Sequence, residues 1–152
     1  MKGPQMKSLM KPLLTILFSL VASAAFSGDA TVVVHDAYAR AASPSAMAGA
    51  AFFHIENTGD HAVVLIGAET PAAARTELHT HREISEGVMQ MVEIEGGITL
   101  APGETRILER GGDHVMLMGL TNSLNDGDML TLTLIFESAD PAVVDIPVDL
   151  SR

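Results

Sequence analysis

None of the 152 residues is cysteine. The chain therefore has no disulfide, no thiolate nucleophile, no thiolate metal ligand and no cysteine through which an export signal could be lipidated. Two common catalytic signatures are also missing: there is no glycine-flanked serine elbow and no His-Glu-x-x-His zinc motif. Positive charge is scarce, with nine Lys and Arg against 19 Asp and Glu, a formal net charge of −10. All three lysines, Lys2, Lys7 and Lys11, lie at the N-terminus. Paired carboxylates such as Glu93 and Glu95 carry no weight in so acidic a chain.

One long apolar run exists, "LLTILFSLVA" (13–22), and it is too short to span a bilayer comfortably. A basic start precedes it and the small residues "ASAAFS" (22–27) follow. Residues 1–27 thus read as an export signal, with cleavage after Ala24 or Ser27. What remains, 28–152, is one domain's length, and its six arginines against nineteen acids give a formal charge of −13. Such a surface repels nucleic acid and anionic lipid and favours cations and basic protein faces. The expectation is a soluble, exported, periplasmic monomer that does not insert in the membrane once the signal is removed.

The mature chain is patterned as β-structure throughout. Strands are expected in "TVVVHDAYAR" (31–40), "AAFFHIEN" (50–57), "HAVVLIGAE" (61–69), the later part of "PAAARTELHTH" (71–81) and "GVMQMVEI" (87–94). "GGITL" and "TRILE" flank an "APGE" turn; "DHVMLMGL", "MLTLTLIFE" and "AVVDIPVDL" follow. "PAAARTEL" has room for a helical turn and no more. Short strands with frequent turn residues, and neither repeat nor linker, define an all-β domain: a β-sandwich or Greek-key barrel.

Three segments concentrate unusual donors: "HTH" at 79–81, "MQM" at 89–91 and "HVMLM" at 114–118. Each obeys the two-residue period of a strand, so each presents its donors on one face. The first two flank "REISEG" (82–87), and a hairpin there would set His79 and His81 across from Met89 and Met91. The third lies far enough on for one intervening hairpin before a return to the same sheet. Alternating methionine is commonly core, yet every methionine after residue 27 except Met47 and Met129 falls in these segments. Thioether and imidazole together suit Cu(I) and suit Zn(II), Mg(II) or Ca(II) poorly. On pattern alone, core packing and metal binding both stand. Met118, beside Leu117 and Leu120, reads as core; Met89 fits either role; His35, His54 and His61 read as surface or structural. A blue-copper electron carrier is excluded, because that site needs a cysteine sulfur.

"ELHTH…GVMQMVEI…GGDHVMLMGL…LNDGDMLTLTLIFE" closely resembles the periplasmic copper chaperones of the PCu(A)C family. The likeness extends upstream through "HDAYARAASPSAMAGAAFFHIENTGDHAVVLIGAETP". The family's pattern is a histidine, a methionine after eleven residues, a second histidine about twenty-one residues on, then any residue and a methionine. Carried over, it selects His79, Met91, His114 and Met116 as copper ligands, with His81 and Met89 as secondary candidates. The resemblance implies a cupredoxin-like β-barrel without the cupredoxin cysteine, no catalytic activity, and an exposed Cu(I) site. It also implies delivery to an acceptor, either the dinuclear copper centre of an oxidase subunit of cytochrome c oxidase or a second copper chaperone. Some members also bind Cu(II) through extra histidines; no His/Met-rich tail follows "VDLSR", and His81 is the spare imidazole here. Two departures stand out: 22 residues rather than 21 separate Met91 from His114, and "RGGD" replaces a more usual Pro-Gly-Gly-aromatic. Two rivals to copper delivery remain at this stage, a periplasmic copper buffer or resistance protein and a metal-free β-sandwich interaction module.

Overall fold

Alternation builds the strands, and "MLTLTLIF" illustrates it: Leu130, Leu132, Leu134 and Phe136 are buried while the residues between them are exposed or half-buried. The computed structural model describes residues 31–152, so the expected export segment and its cleavage positions lie outside the described residues. Ten strands follow in order: β1 (Val32–Ala41), β2 (Ala48–Asn57), β3 (Val63–Glu69), β4 (Ala73–Ser85), β5 (Val88–Glu93), β6 (Ile98–Leu100), β7 (Thr105–Leu108), β8 (His114–Leu120), β9 (Met129–Phe136) and β10 (Ala142–Pro147). No helix occurs among the described residues. "PAAARTEL" yields a turn at 71–72 and then the first residues of β4, the longest strand at 13 residues.

The strands form two antiparallel sheets. One runs β1-β2-β8-β4-β5, with β7 also paired to β2; the other runs β10-β9-β3-β6. Neighbours such as β2 and β8, or β3 and β9, are distant in sequence because the chain changes sheets repeatedly, which gives the Greek-key character. The inner faces share one core, in which Phe53, Ile55, Leu65, Leu100, Val115, Leu117, Leu132, Leu134 and Ile146 are almost wholly shielded from solvent. The architecture is the expected all-β, cupredoxin-like fold. The intervening hairpin is not one, however. The chain turns between β6 and β7, but β6 pairs with β3 in one sheet and β7 with β2 in the other.

Three local devices shape the sheet that carries the His and Met candidates. β7 takes the C-terminal half of one edge of β2 (Phe53–Glu56) and β8 takes the N-terminal half (Ala48–Ala51), so residues 109–113 loop out between them. A bulge in β1 between His35 and Tyr38 centres on Asp36, whose φ is 48°. Arg152 grips Asp36 through two hydrogen bonds of 3.0 and 2.9 Å, and that guanidinium holds the Asp36 carboxyl below its ordinary range. Beyond the bulge Tyr38 pairs with Phe52 and their rings stack 5.1 Å apart. Finally, buried Asn57 ends β2 by donating to the carbonyls of His61 (2.8 Å) and Leu100 (3.1 Å), which ties the crossover to the second sheet.

Candidate metal centre

The outer face of the first sheet collects the donors. In β8, Val115 and Leu117 point into the core and are fully buried, so His114, Met116 and Met118 point the other way. Cross-strand register carries that face to β4, where His79 lies opposite His114 and Glu77 opposite Met116. It continues to β5, where Met91 lies opposite His81, Glu93 opposite His79 and Met89 opposite Glu83. On the other side β2 contributes Ala50 opposite Met116 and Ala48 opposite Met118, with Phe52 on the same face. Small side chains there leave space. A hollow of about 390 Å³ results, lined among others by Ala48, Ala50, Phe52, His81, Met91, His114 and Met116.

His114 is the most enclosed donor, with 2% of its surface exposed although its strand face is the outer one. Phe52 lies against it, ring centres 5.9 Å apart, and the Gly112 carbonyl in the loop before β8 accepts from its ring. Burial, followed by the repulsion expected from His81 and His79 if they are charged, lowers its pKa from the ordinary 6.5; the Gly112 hydrogen bond and Asp113 work the other way. Its Nδ1 donates to the Gly112 carbonyl at 3.0 Å, leaving Nε2 with its lone pair. His81 Nδ1 meets the same carbonyl at 3.4 Å. His79 is oriented differently: Nε2 is 2.8 Å from a Glu77 oxygen, and Nδ1 is buried with no hydrogen-bond partner.

The His79 and His114 ring centres are 6.0 Å apart, and those of His81 and His114 are 5.5 Å apart. Metal–imidazole bonds are roughly 2.0–2.1 Å long, so two imidazoles on one ion have ring centres on the order of 5–6.5 Å apart. Both pairs fall in that range. Among the described residues, no group of three or more His, Asp or Glu side chains forms a metal site. A metal centre on this face would therefore draw on the methionine sulfurs, which are soft donors.

The sequence candidates separate in space. Met91, His114 and Met116 line the hollow, and His81 lines it with them. His79 lies directly across from His114 but beside the hollow, held by Glu77. Met89 is 54% exposed, beyond Met91 on the edge strand. Met118 departs from expectation: it is half-buried on the outer face, not in the core, and its sulfur accepts from Arg75 Nη2 at 3.4 Å. His35 and His61 are surface residues beside Glu56 (3.5 Å) and Asp60 (2.5 Å). His54 is half-buried and pairs across the strands with His35. The two-residue period alone placed Glu77 on the face of His79, a link that sequence reasoning passed over. Arg40 and Phe52 carried no local sign, since only the β2–β8 pairing brings their strands to the site.

Fold and donor set together define a class: a cupredoxin-like β-domain whose outer sheet face gathers imidazoles and thioethers without cysteine. The family model described as "Putative lipoprotein LpqE-like" matches residues 32–148, and the chain belongs to that family, a PCu(A)C group. The chain is 36% identical over 99 residues to "Putative lipoprotein Lxx21020" of Leifsonia xyli subsp. xyli (strain CTCB07), covering 65% of this chain and 59% of that protein. It thus spans less than two thirds of that relative's length. Among solved structures, the Cu(I) form of DR1885 from Deinococcus radiodurans superposes with a TM-score of 0.62 at 30% identity, over 84% of each chain. The copper-bound PCuAC domain from PmoF2 gives 0.64 at 21% identity, over 79% of this chain and 93% of its own, a likeness of fold.

Proposed function

We propose that this protein is an exported copper chaperone that holds Cu(I) at the outer-face hollow and hands it on by ligand exchange. The observation that carries the reading is the convergence of Met91, Met116, His81 and His114 around one open hollow, with His79 facing His114. The copper carried by DR1885 and by the PmoF2 domain supports it. His79 and His114 are the nitrogen donors and Met91 and Met116 the sulfur donors, while His81 completes a nitrogen-richer set for Cu(II). Neutral ligands leave the ion its single positive charge, and the absence of thiolate keeps the site weak enough to release it.

Openness favours delivery over storage. Met91 is 41% exposed on an edge strand, so an approaching acceptor can reach copper from that side while the buried His114 still holds it. The acceptor's ligands replace the thioethers one at a time, and copper is never free. No substrate bond is made or broken. The dinuclear centre of cytochrome c oxidase, reached directly or through a second chaperone, is the acceptor we assign. The deciding experiment is an anaerobic Cu(I) titration against a chromophoric chelator, with X-ray absorption on the loaded protein. One copper per chain with both sulfur and nitrogen scatterers is expected; no binding, or a shell without sulfur, would overturn the reading.

A further inference from the structure

The two imidazoles that line the hollow and the one beside it are held by different partners. The Gly112 carbonyl accepts from Nδ1 of His114 (3.0 Å) and of His81 (3.4 Å), which leaves the lone pair of each neutral ring on Nε2. His79 is held from its opposite nitrogen, because Glu77 Oε2 lies 2.8 Å from Nε2. A carboxylate only accepts, so Nε2 carries a proton, and in the neutral ring the lone pair resides on Nδ1. That Nδ1 is buried, and among the described residues it is the buried side-chain nitrogen or oxygen left without a hydrogen-bond partner. A buried acceptor without a partner costs stability unless something else satisfies it.

Glu77 is itself fixed. Its other oxygen forms an ion pair with Arg75 Nε at 3.1 Å, and Arg75 Nη2 also reaches the Met118 sulfur at 3.4 Å. Arg75, Glu77 and His79 occupy alternate positions of β4, and therefore one face, opposite Met118, Met116 and His114 respectively. We propose that Glu77 is a positioning residue that locks the His79 tautomer, so that the ion is bound by Nδ1 of His79 and by Nε2 of His114. Arg75 clamps the carboxylate against the ring and occupies the Met118 sulfur, which leaves Met116 as the β8 sulfur donor. This rests on the copper reading above. Carboxylates that orient metal-binding histidines in this way are worth about 10- to 100-fold in metal affinity.

The test is long-range ¹H–¹⁵N correlation NMR of the imidazoles in the apo and Cu(I) forms, which are both diamagnetic. The expected apo spectrum shows His79 protonated at Nε2 and His114 at Nδ1. On adding Cu(I), His79 Nδ1 and His114 Nε2 shift. Glu77→Ala should mix the His79 tautomers and weaken Cu(I) binding about 10- to 100-fold, with His114 unchanged. Glu77→Gln, which keeps an acceptor oxygen, should restore the tautomer. A Cu(I) shift at His79 Nε2, or a Glu77→Ala protein with the wild-type tautomer and affinity, overturns the proposal. The wild-type spectra decide the nitrogen assignment even if a variant fails to fold. If Cu(I) shifts His79 at Nε2 instead of Nδ1, the inference alone fails and the ligand set stands. If His79 does not respond, its place in the ligand set fails too, and if neither ring responds the copper reading fails as a whole.

Discussion

Truncating Met91 to alanine separates a thioether that holds an ion from one that holds the fold. Met91 sits on the outermost strand of its sheet, 41% exposed and facing the open hollow. Full burial of a methionine side chain stabilises a protein by about 1.5–3 kcal/mol. With little more than half of that surface covered and no closed cavity left behind, Met91→Ala should cost the apo protein about 1 kcal/mol. Leu117→Ala, at a fully buried position, should cost about 2–5 kcal/mol. Copper reverses the emphasis. If losing one sulfur donor weakens Cu(I) binding about 100-fold, the copper-dependent gain in stability falls by about 2.7 kcal/mol at free copper well above Kd. Anaerobic urea unfolding, with free Cu(I) set by a chelator and folding followed by circular dichroism, measures both quantities. A small apo loss with a large loss of the copper increment is expected. An apo loss above about 3 kcal/mol with an unchanged copper increment would make Met91 a packing residue and refute the site.

Two further predictions concern charge. The His114 pKa is lowered in the folded protein, chiefly by burial, so its contribution to stability is complete above the ordinary value of 6.5 and is lost as the pH falls below it. The apo protein should therefore melt at lower temperature as pH drops through 6, and His114→Gln should flatten that limb; equal slopes in the two proteins would exclude His114 as its origin. Arg40 and Arg110 line the hollow of an otherwise acidic protein. Arg110→Glu should slow Cu(I) capture by an anionic chelator about threefold or more at low salt, with the difference vanishing at high salt, and stopped-flow rates indifferent to both changes would refute this electrostatic role.

Much of β8 was legible because a strand has a strict period. "HVMLM" could place His114 and Met116 on one face and Val115 and Leu117 on the other with no knowledge of neighbouring strands, and the burial follows that division. The hairpin between "HTH" and "MQM" was legible for the same reason, and His81 does face Met91. The register sets His79 against Glu93 and Met89 against Glu83, however, so only one of the two expected His–Met pairs forms. The same reasoning misjudged Met118, because apolar neighbours in sequence say nothing about which face a strand buries once the period points outward. It also set His79 and His81 on equal terms. Their difference lies in Glu77 on one side and the Gly112 carbonyl on the other, and Gly112 is 31 residues from His81.

Local composition and periodicity thus determined that the described residues are all-β, that the chain lacks any thiolate chemistry, and which side chains share a strand face. Those properties depend on residues a few positions apart and on backbone geometry common to every strand. Tertiary structure alone decided that β7 and β8 divide one edge of β2, so that residues 109–113 loop out beside His114 and the alanines of β2 open a hollow beside Met116. Such choices are made by burial of the whole core, in which the register between distant strands is selected collectively, and no short window of sequence contains that information.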